Sequence, residues 1–115
     1  MRKTLVPLSI AGLALTACGG YAAPNEHMAQ SQAAARAAME VGAKDSPEAS
    51  LHLKLAQEEI AQAQKLMADG DNKRADYVLT RAKADAELAV ALARESSAQQ
   101  EAQRLVDQLK AAQEK

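Results

Sequence analysis

The sequence contains no Phe and no Trp, and Tyr21 and Tyr77 are its only aromatic residues. Aromatic side chains bury large areas, so a chain that lacks them has little material for a bulky globular core or for β-sheets. Alanine instead makes up about a quarter of the 115 residues. Because alanine is the best helix former, the composition predicts an all-α fold in which helices pack closely through small side chains.

Cysteine occurs once, at Cys18, which excludes an intramolecular disulfide. A surplus of positive charge is also absent. Two of the 14 basic residues, Arg2 and Lys3, lie at the very start, and the rest of the chain has 12 basic and 15 acidic residues, a formal charge of −3. This balance argues against nucleic acid as a partner and provides no basic patch for anionic lipid headgroups.

The one strongly apolar run, Leu5 to Ala17, follows the basic pair Arg2 and Lys3 and ends in small residues. This order of charge, apolar run and small residues is typical of an export signal. A membrane-spanning helix needs about 20 apolar residues, and this run is shorter and contains Pro7. We therefore predict that residues 1–17 are a signal peptide.

The stretch Leu15-Thr16-Ala17-Cys18 resembles the bacterial lipobox, in which leucine and two small residues precede an invariant cysteine. The resemblance implies cleavage before Cys18, a diacylglycerol on the Cys18 sulfur and an acylated new amino terminus, so membrane lipid is the first partner. Several acyl chains anchor a protein stably. In similar lipoproteins an aspartate after the cysteine favours the inner membrane, so Gly19 implies a lipid anchor in the outer membrane with the protein facing the periplasm.

The rest of the chain divides into a tether and a helical domain. Residues 18–27 hold the lipidated cysteine and "GGYAAPNEH", whose Gly, Pro and Asn predict a flexible tether. Residues 28–115 form the α-helical domain, with helices at about 28–41, 48–68 and 72–113. Gly42 and Gly70 are the expected left-handed stops of the first two helices, and Ser46 is the expected cap of the second.

Apolar residues recur at helical spacing in all three predicted helices. The first helix carries Ala34, Ala37, Ala38 and Val41 on one side. The other two share a 4-3-4-3-4 spacing: Ala49, Leu53, Ala56, Ile60, Ala63 and Met67 in the second, and Ala75, Leu79, Ala82, Ala86, Ala89 and Ala93 in the third. Two such stripes joined by a short turn predict an antiparallel helical hairpin, or a small three-helix bundle, with a long C-terminal helix.

After Arg94 the apolar pattern changes register. A second stripe, here called the distal stripe, consists of Ala98, Ala102, Leu105, Leu109 and Ala112. Either the third helix continues as one rod, or it breaks near Ser96-Ser97 and a fourth helix folds back. No Gly or Pro interrupts the segment, which favours the rod. An exposed stripe would be a candidate binding surface for an envelope protein or for a second copy of the chain.

Residues that could carry chemistry are few. His27 and His52 have no second His or Cys at ligand spacing, so a solvated surface histidine is the simpler interpretation. Glu58 and Glu59 are adjacent and point in different directions on a helix, which argues against an acid–base pair. The sequence therefore predicts no enzyme activity, metal site, cofactor or small-molecule substrate.

Charged residues near the turn and on the third helix have structural interpretations. The aspartates around Gly70 lack the ligand spacing of a calcium loop and are expected to be caps and solvated charges. Two pairs on the third helix, Arg81 with Asp85 and Lys83 with Glu87, have the i,i+4 spacing of surface ion pairs.

From about Ala35 to Ala93 the chain resembles domain-of-unknown-function family 4398, a family of short helical bacterial envelope lipoproteins. The matching stretches are Val41 to Ala43, Ser46 to Ala49, Leu53 to Ala63, Gly70 to Ala75 and Ala82 to Leu92. The resemblance implies a helical hairpin in the cell envelope and no catalytic residue.

These patterns favour a helical interaction or structural module of the envelope. The alternative function is a covalent or non-covalent tether between the outer membrane and peptidoglycan through the C-terminal end. In the murein lipoprotein a C-terminal lysine is joined to the wall, and Lys115 is the candidate attachment residue here.

Overall fold

The computed structural model describes residues 19–114, and these residues contain three α-helices and no β-strand. The helices are α1 (Asn25–Glu40), α2 (Pro47–Ala68) and α3 (Asn72–Gln113), and a 3-10 turn at Ala43–Asp45 lies between α1 and α2. The all-α class that the sequence predicts is confirmed. Cys18 and Lys115 lie outside the described residues.

Helix α1 begins at Asn25, earlier than the predicted start at residue 28, and Pro24 occupies the position before it. The helix ends as predicted, because Gly42 takes the left-handed conformation with φ 82°. Ser46 precedes α2, and Pro47 fills the first helical position, but the Ser46 side chain makes no capping hydrogen bond. The prediction that this side chain caps α2 is wrong, and Ser46 is buried instead.

A tight turn connects α2 to α3. Gly70 has φ 79°, its N–H donates to the carbonyl of Met67, and the N–H of Asp71 donates to the carbonyl of Leu66 at 2.8 Å. These two bonds form a Schellman motif, which satisfies the last carbonyls of α2 and reverses the chain. The Asp71 side chain then caps α3 by accepting from the N–H of Arg74. Three residues therefore end one helix and begin the next.

The core lies where the stripes of α2 and α3 meet, and α1 packs against both helices. All six predicted stripe positions of α3 are buried, as are five of the six in α2, while Met67 is half-buried. Leu79 is the largest fully buried side chain. The buried positions of the two helices are mostly alanine, which keeps the core thin.

Helix α1 buries a different set of residues from the one predicted. Ser31, Ala35 and Ala38 are buried, whereas Ala34, Ala37 and Val41 are only half-buried. The Ser31 hydroxyl lies 2.7 Å from the carbonyl of His27 and 2.9 Å from the carbonyl of Leu79 in α3. A polar residue can occupy this interface because its hydroxyl finds an acceptor on the facing helix.

Helix α3 continues without a break through Ser96 and Ser97 to Gln113. Every described residue after Ser96 is exposed, so the last four to five turns extend beyond the other helices. We call residues 97–113 the C-terminal rod. At 3.6 residues per turn the distal stripe lies about 140° around α3 from the buried stripe, so a straight helix turns it away from α1 and α2.

Candidate functional site

The C-terminal rod carries the largest apolar side chains of the distal stripe, and they are exposed. Leu105 is 54% exposed and Leu109 is 65% exposed, and Val106 beside them is 43% exposed. The alanines of the stripe, Ala98, Ala102 and Ala112, are exposed as well. The structure thus places all five residues of the predicted partner-binding stripe together on one helix face that is open to solvent.

A charged cluster crosses the interface between α2 and α3. Nδ1 of His52 lies 2.8 Å from Oδ1 of Asp85, and a guanidinium nitrogen of Arg81 lies 2.6 Å from Oε1 of Glu59. The predicted surface pair of Arg81 with Asp85 is therefore wrong, because both side chains reach across to α2. The predicted pair of Lys83 with Glu87 is present, with 3.8 Å between nitrogen and oxygen.

Glu59 is the buried member of this cluster, with its side chain 9% exposed. Burial of the carboxyl raises the pKa of Glu59 above its ordinary value of 4.5. Arg81 opposes this shift, while Asp85 adds to it through repulsion and by accepting a hydrogen bond from the protonated form. Oε2 of Glu59 is buried without a hydrogen-bond partner, so the charged carboxylate is only partly compensated by Arg81.

Replacing Glu59 by glutamine should change how stability depends on pH. The folded-state pKa is raised, so the contribution of Glu59 to stability is fully present below its ordinary pKa and is lost as the pH rises through the folded-state value. The neutral glutamine amide does not titrate, so its contribution to stability does not fall as the pH rises. Thermal melts from about pH 4 to about pH 7 should show the melting temperature of Glu59→Gln rising relative to the wild type as the pH increases.

Glu58→Gln is the matched control, because Glu58 is adjacent and its side chain is 62% exposed. We expect its melting temperature to follow that of the wild type across the same pH range. His52, Arg81 and Asp85 are unchanged in both variants, so the two proteins differ from the wild type at one carboxyl each. A constant difference between Glu59→Gln and the wild type at every pH would contradict the raised pKa of Glu59.

A second polar cluster joins the N-terminal segment to the start of α3. The Tyr21 hydroxyl donates to Oδ2 of Asp76 at 2.6 Å, and Nδ1 of His27 contacts the other oxygen of Asp76. The side-chain amide of Asn72 donates to the carbonyl of Tyr21 at 2.9 Å. The segment predicted to be a flexible tether thus contacts α3 at Tyr21.

Asp76 accepts on both of its oxygens, and this stabilises its charged form. The hydrogen bond from Tyr21, followed by that from His27, lowers the pKa of Asp76 below its ordinary value of 3.8. The same bond to Asp76 raises the pKa of the Tyr21 hydroxyl above 10.0. The cluster is therefore an anionic carboxylate held between a phenol and an imidazole, an arrangement suited to positioning the N-terminal segment.

Two open surface clefts lie at opposite ends of the packed helices. One is lined by residues from Tyr21 to His27 together with Asp76. The other is lined by residues 46–48 and by Leu92, Glu95, Ser96 and Gln99, where α3 leaves the packed helices. In residues 19–114 no group of three or more His, Cys, Asp or Glu side chains has an arrangement that could hold a metal ion.

A comparison with protein families matches residues 26–105 to the family described as Domain of unknown function (DUF4398). The chain belongs to the DUF4398 family. The match spans α1, α2 and most of α3, and it ends at Leu105 within the distal stripe. Neither the curated proteins nor the solved structures include a match to the DUF4398 chain. Within its described part, none of its helices is both long enough and apolar enough to cross a membrane.

Sequence reasoning missed the two clusters of this DUF4398 chain. Glu59 directly precedes Ile60 of the α2 stripe, and this position at the edge of the stripe was the available signal that it faces α3. His52, interpreted from the sequence as a solvated side chain, is half-buried against Asp85. No pattern along the sequence connects Tyr21 with Asp76, because 55 positions separate them.

Proposed function

We propose that this DUF4398 protein is a lipoprotein, acylated at Cys18 and anchored in the outer membrane with its helices in the periplasm. It acts there as an interaction or structural module and not as an enzyme. The observation that carries the interaction role is the distal stripe, which exposes Leu105 and Leu109 on the C-terminal rod. Exposed apolar surface in a regular stripe is typical of a helix that binds another helix.

The N-terminal cluster supports a defined position for the anchor relative to the helices. Tyr21 is bound to Asn72 and Asp76 in the first turns of α3, and only two residues separate Tyr21 from Cys18. A chain reaches at most about 3.5 Å per residue, so a lipid on Cys18 holds this end of the packed helices close to the bilayer. The C-terminal rod begins at the opposite end of α3.

A charge argument supports a protein partner over nucleic acid. Outside the leader the chain carries a formal charge of −3, which repels a polyanion. The distal stripe itself contains no charged residue, and its leucines offer apolar contact to a partner helix. The alternative role, a wall tether through Lys115, has no contact in residues 19–114 that favours it over the interaction module.

The anchor is tested by Cys18→Ser in cells grown with a labelled fatty acid. We expect the wild type to take up the label and to sediment with outer membranes, and Cys18→Ser to lose both properties because the acceptor sulfur is gone. Ala22→Ser is the matched control, since it introduces the same residue nearby and leaves the lipobox intact. A Cys18→Ser protein that still takes up label and still sediments with membranes would disprove the anchor.

A further inference from the structure

Three large exposed side chains of the C-terminal rod, Leu105, Val106 and Leu109, lie within five consecutive residues. The packed helices cannot cover them, since the rod extends beyond α1 and α2 and turns this face away from them. Ala102 and Ala112 flank this apolar segment along the same helix face. The segment is therefore short, with leucine and valine at its centre and alanine at both ends.

The spacing of these residues is that of a coiled-coil seam. Ala102 and Leu109 occupy heptad position a, whereas Ala98, Leu105 and Ala112 occupy heptad position d. Val106 then occupies an e position at the border of the seam. An e-position valine needs an apolar neighbour across the seam, and this requirement distinguishes the ways in which two rods can pair.

In an antiparallel pair, residues at position a face residues at position d of the second copy, and residues at position e face residues at position e of the second copy. A two-fold axis at Asp107 places Leu105 opposite Leu109 of the second copy and Ala102 opposite Ala112 of the second copy. Val106 then meets Val106 of the second copy at the centre. All six large apolar side chains form one cluster, and Asp107, at an f position, lies on the outer side.

A parallel pair is less favourable for the same residues. It places Val106 opposite Glu101 of the second copy, so that a carboxylate borders the apolar seam. In the antiparallel register Val106 meets Val106 of the second copy instead, and Glu101, at a g position, lies on the other side of the seam.

We propose that the partner of the distal stripe is a second copy of this chain, with the two C-terminal rods paired antiparallel about Asp107. The pairing rests on the proposed function, because it names the partner of the same surface. The contact is isologous and closes with two copies. The packed helices then point in opposite directions, and the ends that carry Tyr21 lie about 100 Å apart, so two copies anchored in one membrane lie along its surface.

Single introduced cysteines test this register in intact cells, with Cys18 retained. Position 108 faces position 108 of the second copy, and position 99 faces position 113 of the second copy. After mild oxidation we expect Gln108→Cys to form a disulfide-linked dimer alone. Gln99→Cys and Gln113→Cys should form one only when the two variants are expressed together, because neither residue faces itself.

Two sets of controls make the result specific. Adding Leu105→Glu and Leu109→Glu should abolish the cross-link, and both leucines are exposed, so the packed helices should be unaffected. Adding Gln100→Glu and Gln103→Glu places the same charges on the other face of the rod and should preserve it. Ala61→Cys, exposed on α2, should form no dimer.

Two results would overturn the proposal. A dimer from Gln108→Cys mixed with Gln113→Cys, in the absence of one from Gln108→Cys alone, indicates parallel rods. No cross-link at any of the three rod positions indicates that the stripe binds something other than a second copy. A disulfide-linked dimer of the wild type would require a free Cys18 thiol and would therefore contradict the acyl anchor. In that case the cross-linking of the rod positions is repeated in variants that also carry Cys18→Ser.

Discussion

Leu79→Ala is expected to lower the free energy of unfolding by about 2–5 kcal/mol. Leu79 is fully buried in α3, and it packs where α1 and the end of α2 meet that helix. Its neighbours in that part of the core include Ala63 and Ala75, whose short side chains cannot move into the space that a lost isobutyl group leaves. Denaturant unfolding followed by circular dichroism measures the change.

Leu105→Ala is the matched control, because it makes the same substitution on the same helix. Leu105 is 54% exposed on the C-terminal rod, so we expect its unfolding free energy to stay within about 0.5 kcal/mol of the wild type at concentrations where the chain is monomeric. An equal loss in both variants would show that the rod packs against the other helices. Domains of this kind have about 5–15 kcal/mol of stability in total, so the loss at Leu79 removes a large share of it.

Ala86→Leu is expected to lower the free energy of unfolding by about 1–3 kcal/mol through overpacking. Ala86 is fully buried in the part of α3 that packs against α2 and belongs to the same core cluster as Leu53 and Ala56 of α2. The extra carbon atoms of leucine have no space unless the helices separate, and separation weakens contacts along the whole seam. Ala82→Leu, one turn earlier and equally buried, should have a similar effect.

Ala84→Leu tests the same added volume on the exposed face of α3. Leucine and alanine have nearly equal helix propensity, so we expect its melting temperature to remain close to that of the wild type. A normal melting temperature for Ala86→Leu would mean that the alanine seam has unfilled space that accepts the added carbon atoms.

Much of the fold follows from local patterns in the sequence. The 4-3-4-3-4 spacing in α2 and α3 predicts which alanines and leucines are buried, because periodic apolar positions on a helix form one face. Gly42 and Gly70 end their helices as predicted, because the left-handed conformation is accessible to glycine without steric cost. The bounds of α3 agree for a related reason, since Asp71 caps its start and no Gly or Pro interrupts it afterwards.

The sequence also shows that the apolar pattern changes register after Arg94, but it does not show whether the helix continues or folds back. The sequence allowed either a continuous rod or a fold-back at Ser96-Ser97, since serine is tolerated both within a helix and at its ends. The structure has the continuous helix, in which the distal stripe faces solvent. The choice depends on whether a fourth helix would find an apolar face to cover, and that is a property of the assembled helices.

The face that α1 buries shows where local patterns fail. Five of the six residues 33–38 are alanine, so neighbouring faces of α1 are similarly apolar and the sequence does not distinguish among them. The structure selects the face with Ser31, because its hydroxyl reaches the carbonyl of Leu79. A long-range hydrogen bond therefore decides an orientation that hydrophobic periodicity leaves open.

By itself the sequence determined the helical class, the helix stops and the seam of α2 and α3, because these depend on neighbours within one or two turns. Only the tertiary structure decided that Arg81 pairs with Glu59, that Asp85 pairs with His52 and that Tyr21 binds Asp76. A charged side chain selects the partner that the packing brings within reach, and burial then sets the cost of its charge. The spacing of residues along the sequence identifies only those partners that lie on the same helix as the charged side chain.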